Sequence, residues 1–158
     1  MFYHKALYTQ SNQLQKLDFL SINDIVQIQK VLIQNDAGIR TLPGTKLVND
    51  TTNEVAYTPP RTKKKIDELL KNFTEYLNNE DDNFSTLAIL HYQFESIHPF
   101  DDGKGRIDLI VNILYQILKH HLDVPILYLS SYIIKNKTSY YKLLQEVSSQ
   151  ENWETGLF

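Results

Sequence analysis

The segment that most constrains the fold is residues 107–121, which predict a helix with apolar side chains on nearly every side. A helix with a single apolar stripe lies at the surface of a domain, whereas a helix that is apolar all round must be enclosed by other elements. We therefore predict an all-α protein, a helical bundle with this helix at its centre. The apolar residues that carry the prediction are Leu109, Ile110, Val111, Ile113, Leu114, Ile117 and Leu118.

Amphipathic helices are expected around the central one, because glycine and proline are scarce outside residues 38–60. The first begins at an N-cap, Ser21. The negative charge of Asp24, three residues on, interacts favourably with the positive N-terminal end of the helix dipole. The others carry apolar residues at helical spacing. The predicted bounds are Ser21 to about 34–35, from after Pro60 to Leu77, 85–97, and, beyond the central helix, about 126–134 and 138–148.

A β-hairpin is predicted between the first two helices. Lys46, Leu47 and Val48 form one strand, residues 49–53 supply a polar turn, and residues 55–57 form the second strand. The expected fold class is therefore an all-α helical bundle with a small β-hairpin.

Composition narrows the classes of function. A length of 158 residues predicts one domain over residues 1–158. The formal net charge of -3 and the lack of a long basic run argue against a nucleic-acid partner. Without cysteine, there is no disulfide framework and no thiolate zinc site. Because no apolar run has bilayer length and residues 1–5 do not begin a signal peptide, we expect no membrane partner and a cytoplasmic location.

Residues 98–106, which we call the motif loop, combine an imidazole, a carboxylate, two glycines and a guanidinium in the sequence His-Pro-Phe-Asp-Asp-Gly-Lys-Gly-Arg. A residue before proline is pushed out of helical geometry, so His98 must end the preceding helix. Gly103 and Gly105 permit backbone conformations that turn successive N–H groups into an anion-binding concavity. Because a helix N-terminus follows at once, the loop is typical of a phosphate-binding site.

Each polar side chain of the motif loop has a functional interpretation and a plainer one. His98 suits a general base, Asp102 suits a hard cation such as Mg²⁺, and Arg106 suits phosphate oxygens. Alternatively, His98 is an imidazole in water at the end of its helix, Asp102 caps the turn and Arg106 pairs with Glu95. In either interpretation, the His98 side chain is expected to reach solvent from the loop and not to belong to the core. His91, on the preceding helix, is expected to be a satisfied, half-buried imidazole.

The motif loop resembles the defining motif of the Fic family, HPFxxGNGRxxR. The resemblance extends over most of the chain from about residue 38, including the helix over 90–97 and the residues 57–60 that leave the hairpin. The matching motif positions are His98, Pro99, Phe100, Asp102, Gly103, Gly105 and Arg106.

The resemblance implies an adenylyltransferase that moves AMP from ATP to a Ser, Thr or Tyr hydroxyl of a target protein. His98 would take the hydroxyl proton, Asp102 would hold Mg²⁺, and the hairpin would be a flap that aligns the target. The inhibitory partner of such a protein would be an antitoxin-like chain. The residues implied to contact the nucleotide are Gly103, Lys104, Gly105, Arg106 and Tyr141, and those implied for the target-binding flap are Lys46, Leu47 and Val48.

Two positions depart from the family motif. Lys104 stands where the family has an asparagine that orients phosphate, and Leu109 stands where it has a second arginine that engages the γ-phosphate. The family's inhibitory motif, [ST]xxxE[GN], is also absent, because the glutamate of residues 148–152 comes one position early. These departures leave two alternatives open: a catalytically weakened nucleotide- or protein-binding pseudoenzyme, and a Fic-type phosphotransferase that moves another phosphate-linked group.

Overall fold

In a computed structural model, the chain folds as a helical bundle with one small pair of strands. The structure describes residues 2–42, 46–48, 55–79 and 84–126, and then 135, 136, 139, 140, 142, 143, 146 and 147. The helices are α1 (Phe2–Leu17), α2 (Ile22–Ile33), α3 (Lys63–Asn79), α4 (Phe84–Ile97) and α5 (Lys104–Leu118), and the strands are β1 (Leu47–Val48) and β2 (Val55–Tyr57). The predicted all-α class is confirmed.

α5 is the central helix, as its sequence predicts. It packs against α1, α2 and α4, and nearly all of its side chains from Ile107 onward are buried. It begins at Lys104, one turn earlier than expected, because Gly103 already serves as its N-cap. Neither α5 nor any other helix of the described residues is long and apolar enough to cross a membrane.

α1 is the helix that the sequence pattern did not predict. Its sequence is largely polar, and two of the side chains that it buries, Gln10 and Ser11, are polar. It packs on α2 and α5 through Ala6, Leu7 and Leu14. Because the buried face is only partly apolar, the periodicity that marks an amphipathic helix is weak here.

α2 begins as predicted, with a reciprocal capping box. The N–H of Asp24 donates to Ser21 Oγ at 3.2 Å, and the N–H of Ser21 donates to Asp24 Oδ2 at 2.8 Å. Its C-cap is Gln34, in the left-handed region, which agrees with the predicted end at 34–35. The predicted bounds of α3 and α4 also agree with the structure to within a few residues.

β1 and β2 pair in antiparallel fashion, with Leu47 opposite Tyr57. The predicted turn at 49–53 lies outside the described residues, as do residues 127–134 of the first predicted downstream helix. In the second predicted downstream helix, the described residues from 139 to 147 are helical.

The two glycines of the motif loop offer a matched test of the start of α5. Gly103 has a φ of +75°, and an added Cβ would overlap Ile33 Cδ1 and lie 2.9 Å from Ile33 Cγ1. Gly105 is helical, and the nearest neighbour of its added Cβ, Glu95 Oε1, would be 4.0 Å away. We expect Gly103→Ala to lower the free energy of unfolding by about 1 to 2 kcal/mol, because a left-handed non-glycine residue costs about that much. Gly105→Ala should leave it unchanged or raise it by up to about 1 kcal/mol, because alanine favours a helix.

Urea unfolding of the two variants and the wild type provides the measurement. Equal destabilisation by both substitutions would contradict the assigned backbone geometry.

Candidate active site

The motif loop leaves α4 through a single left-handed residue. His98 has a φ of +49°, and its N–H still donates to the Phe94 carbonyl at 3.1 Å. Phe100 is buried and packs at 6.5 Å, between ring centroids, from Phe94, which packs at 5.4 Å from Phe73. The loop is therefore attached to the core by a cluster of tilted aromatic rings directly after the turn at His98.

Arg40, which is not among the predicted site residues, fixes the same turn from the other side. Its Nε donates to the His98 carbonyl at 2.6 Å, and its Nη2 donates to the carbonyls of Pro60 at 2.7 Å and Ile97 at 3.4 Å. Its backbone N–H donates to the Pro99 carbonyl at 2.9 Å. No local pattern marks Arg40, because its burial arises only when distant segments meet.

The His98 imidazole is much more enclosed than the sequence suggested. We expected a side chain in a solvent-reaching loop, and this is wrong, because His98 is only 6% exposed. Burial, with the charges of Lys104 and Arg40, lowers the pKa of His98 to about 4. The imidazole is therefore neutral near pH 7, with a lone pair but little basicity.

Lys104 lies between His98 and a buried carboxylate. Its Nζ is 3.0 Å from His98 Nδ1 and 3.7 Å from Glu95 Oε2. Burial lowers the pKa of Lys104, and the Glu95 carboxylate partly opposes this shift. The alternative in which Arg106 pairs with Glu95 is wrong, since Lys104 takes that place and Arg106 is exposed.

The first turn of α5 presents backbone donors beside these side chains. The Gly103 carbonyl accepts from the N–H groups of Arg106 and Ile107, and Gly103 supplies no side-chain cap. The N–H groups of Lys104 and Gly105 precede the first intrahelical bonds and remain available to an anion. The special backbone angle predicted for Gly105 is wrong, whereas that for Gly103 is confirmed.

Asp102 is exposed, and its Oδ1 accepts the N–H of Gly103 at 2.6 Å. The structure thus shows the turn-capping role that was one of the two interpretations of this residue. A carboxylate with one oxygen bonded in this way keeps lone pairs for a cation, so its assignment to Mg²⁺ stays a prediction. Among the described residues, no three His, Asp or Glu side chains form a metal-holding group.

Beneath the loop, α4 and α5 share a buried carboxylate–imidazole pair that the sequence did not predict. Asp108 is 1% exposed and contacts Nδ1 of His91, whose Nε2 lies 2.7 Å from the Tyr140 hydroxyl. Burial raises the pKa of Asp108, and the Asp108 carboxylate, against the effect of burial, raises the pKa of His91. His91 is thus a satisfied, half-buried imidazole, as expected.

The hairpin strand β2 reaches the site through α4. The Tyr57 hydroxyl hydrogen-bonds Ser96, which lies two residues before His98. The predicted flap residues Leu47 and Val48 form β1, and Lys46, just before it, is exposed. Tyr141, the residue implied for the nucleotide base, lies outside the described residues.

The described residues thus bring an imidazole and an uncapped helix N-terminus to one interhelical turn of a helical bundle. The family model described as the Fic/DOC family matches residues 19–116, which is more than half of the chain. The chain belongs to the Fic/DOC family. It is also 28% identical over 102 residues to the protein adenylyltransferase fic-1 of Caenorhabditis elegans. That match covers 61% of this chain and 19% of the relative, so the chain spans about a fifth of the relative's length.

Solved structures of the family share the fold. A Fic domain-containing signalling protein from Bacteroides thetaiotaomicron superposes with a TM-score of 0.75 at 17% identity, covering 99% of this chain and 59% of that one. A Fic family protein from Desulfovibrio desulfuricans gives 0.73 at 19% identity, covering 98% and 48%. Fic-1 from C. elegans gives 0.71 at 23% identity, covering 99% and 44%. The predicted Fic-like bundle is confirmed.

Arg40→Lys tests the attachment of the turn. Lysine has one nitrogen at the end of its side chain and cannot reproduce the separate Nε and Nη2 donors of the planar guanidinium. We therefore expect the free energy of unfolding to fall by about 1.5 to 3 kcal/mol, the range for a hydrogen bond to a charged group. Urea unfolding is the measurement, and Arg61→Lys, at an exposed arginine, is the matched control. An Arg40 variant as stable as the control would show that the three contacts do not stabilise the fold.

The lowered pKa of His98 predicts a loss of stability in acid. Because its pKa falls from an ordinary 6.5 to about 4 on folding, the unfolded chain binds the extra proton between these values, and stability falls as the pH drops through that window. We expect His98→Asn to lose about 1 to 2 kcal/mol less than the wild type between pH 6.5 and 4.5.

Asparagine tolerates the left-handed backbone of residue 98. The measurement is urea unfolding at the two pH values, with exposed His4→Gln as the control. Parallel pH profiles for His98→Asn and the wild type would contradict the buried, neutral imidazole.

Proposed function

We propose that the chain is a Fic-type protein adenylyltransferase that transfers AMP from ATP to a hydroxyl side chain of a target protein. The observation that carries the proposal is the His98 imidazole beside the uncapped first turn of α5, in the order of residues that defines the family. A family relative named as a protein adenylyltransferase supports the choice of AMP as the transferred group.

In this reaction the target hydroxyl oxygen attacks the α-phosphorus, and the bond from that phosphorus to the oxygen bridging to the β-phosphate breaks. A bond forms between the hydroxyl oxygen and AMP, and pyrophosphate leaves. His98 Nε2 takes the hydroxyl proton. The N–H groups of Lys104 and Gly105, with the guanidinium of Arg106, stabilise the charge that develops on the phosphate oxygens.

Asp102 is the residue that would hold Mg²⁺. Its carboxylate is exposed at the end of the loop and is oriented by the N–H of Gly103. Mg²⁺ keeps several waters and is commonly bound by one or two carboxylates together with substrate phosphates, so a single carboxylate fits an ion that arrives with ATP. When bound, the ion would neutralise part of the phosphate charge.

The paired strands β1 and β2 would align the target segment. A two-stranded sheet has unpaired edges, and an extended peptide can add to an edge through backbone hydrogen bonds with little demand on its side chains. Lys46, Leu47 and Val48 would form this edge, and the bond between Tyr57 and Ser96 ties it to the helix that ends at His98.

One observation favours a second candidate, a nucleotide-binding pseudoenzyme. The His98 imidazole has a pKa of about 4, and the Lys104 ammonium lies 3.0 Å from its Nδ1. Such an imidazole is poorly suited to accept a proton near pH 7. Leu109, half-buried in α5, also offers no guanidinium to the γ-phosphate. In this alternative the loop binds nucleotide through its backbone without transferring AMP.

Radiolabelled ATP decides between these candidates. With the label at the α-phosphorus, we expect label to appear on protein in a cell extract, and His98→Asn should reduce the rate by about 10²- to 10⁴-fold, the usual value of positioned proton transfer. His4→Gln is the matched control. Label from the γ-phosphorus alone would indicate phosphoryl transfer, whereas calorimetric ATP binding without label from either position would identify the pseudoenzyme.

A further inference from the structure

The contact between Lys104 and His98 carries an inference about how the base becomes available, and it rests on the proposed function. We propose that Lys104 masks the base in the ligand-free protein by donating to Nδ1 of His98, and that a bound polyphosphate unmasks it by drawing the ammonium away. Lys104 is then a positioning residue that makes proton transfer conditional on the nucleotide.

The chemistry of the two groups fixes the state of the imidazole. A lysine ammonium has three donors and no acceptor, so the 3.0 Å contact requires a lone pair on Nδ1. A neutral imidazole carries one proton, which must then be on Nε2. Within the described residues, Nε2 has no hydrogen-bond partner, and it is the nitrogen that remains free to face a target hydroxyl. In the ligand-free state it therefore carries a proton where the reaction needs a lone pair.

Among the described residues, no acceptor beside His98 favours the other tautomer, in which Nδ1 carries the proton. From α5 it faces the Lys104 ammonium, and from the segment before β1 it faces the Arg40 guanidinium, which donates to its carbonyl. In the part of the chain that the structure describes, these two cations are the charged groups that shift the pKa of His98; Glu95 on α4 lies 3.7 Å from the Lys104 ammonium, and Asp101 acts on Arg40. The two cations act in the same direction, and burial acts with them, so the neutral Nε2–H form is favoured.

Lys104 is placed to exchange partners. Its side chain is 30% exposed, and its Nζ is 3.7 Å from Glu95 Oε2, which is longer than a strong charge-assisted hydrogen bond. It is also the first residue of α5, next to the free N–H groups that would bind phosphate. A polyphosphate brings several negative charges to this point, and the flexible four-carbon stem of lysine lets the ammonium follow them.

The unmasking step needs no other reactant than water. When Lys104 leaves, Nδ1 can receive a proton from water while Nε2 releases one to water, so the imidazole remains neutral and its lone pair moves to Nε2. When polyphosphate binds, its anionic oxygens lie near the His98 ring in place of the Lys104 ammonium. The removal of a like charge and the arrival of anions both favour the protonated imidazole.

Nuclear magnetic resonance of the imidazole nitrogens tests the ligand-free state without any nucleotide. In the wild type at pH 7 we expect His98 to be the Nε2–H tautomer. In Lys104→Met, which keeps the length of the side chain without its donors, the pKa of His98 should rise by about one unit, because a like charge is removed. The matched control is Lys71→Met, at an exposed lysine on α3, which should leave His98 unchanged.

The wild-type tautomer is informative even if the variant fails to fold. An Nδ1–H tautomer in the ligand-free wild type would mean that Lys104 is a neutral amine accepting from the ring, and it would overturn the proposal. An unchanged His98 pKa in folded Lys104→Met would overturn it as well.

Titration with inorganic tripolyphosphate tests the exchange. We expect the Nδ1 resonance of wild-type His98 to move toward that of Lys104→Met and its pKa to rise by one unit or more as the amides of Lys104 and Gly105 respond to binding. Amide shifts with an unchanged imidazole would overturn this inference alone. If no amide responds at millimolar tripolyphosphate, the phosphate site of the proposed function fails, and the exchange fails with it. Absence of label transfer despite unmasking would reject the proposed reaction and leave the inference standing.

Discussion

A buried guanidinium holds the turn between α4 and α5, and the geometry of the motif loop depends on it. Arg40 is 3% exposed, and the oxygens around it are backbone carbonyls of Pro60, Ile97 and His98. The last carbonyls of a helix have no donor within the helix, so Arg40 acts as a side-chain cap for the end of α4. Because one of its three partners belongs to the segment that leaves β2, the same cation joins the paired strands to the loop. The Arg40 guanidinium stays charged, and the backbone carbonyls that accept its hydrogen bonds would otherwise have no donor.

The interface between α4 and α5 contains two acidic side chains, each beside a basic one. Glu95 lies beside Lys104, and Asp108 lies beside His91. Burial raises the pKa of both carboxyl groups, and the basic neighbours limit that rise. Buried pairs of this kind contribute little net stability, but removal of one member leaves an uncompensated charge. The imidazole of His98 contacts Lys104, so its basicity depends on which partner Lys104 has.

Local patterns in the sequence were sufficient for most of the fold. The all-round apolar pattern of residues 107–118 identified the central helix, and Ser21 with Asp24 identified the start of α2, because each signal arises from residues close together in the chain. α1 was not predicted, because two of its buried side chains, Gln10 and Ser11, are polar and weaken the helical pattern of apolar residues. The role of Arg40 was not predicted, because its hydrogen-bond partners are 20 or more residues away in the chain. The identities of the motif residues were predictable, but the burial of His98 and the pairing of Lys104 with Glu95 were not, since both depend on side chains brought together from two helices.

α5 also illustrates what a helix needs when every side of it is apolar. Hydrophobic burial alone gives such a helix no preferred rotation about its axis, because any face can be turned toward any neighbour. Asp108, Asn112 and Gln116 are buried at intervals of four residues and form one polar line along α5. Asp108 contacts His91, Asn112 Nδ2 lies 3.1 Å from His91 Nδ1, and Gln116 Oε1 lies 2.7 Å from His121 Nδ1. A turn of the helix by one residue, about 100°, would move Asp108 and Asn112 away from His91 on α4, whereas His121, in the turn that follows α5, would move with Gln116. The polar line therefore sets the angular position of α5, and with it the direction in which the first-turn N–H groups point.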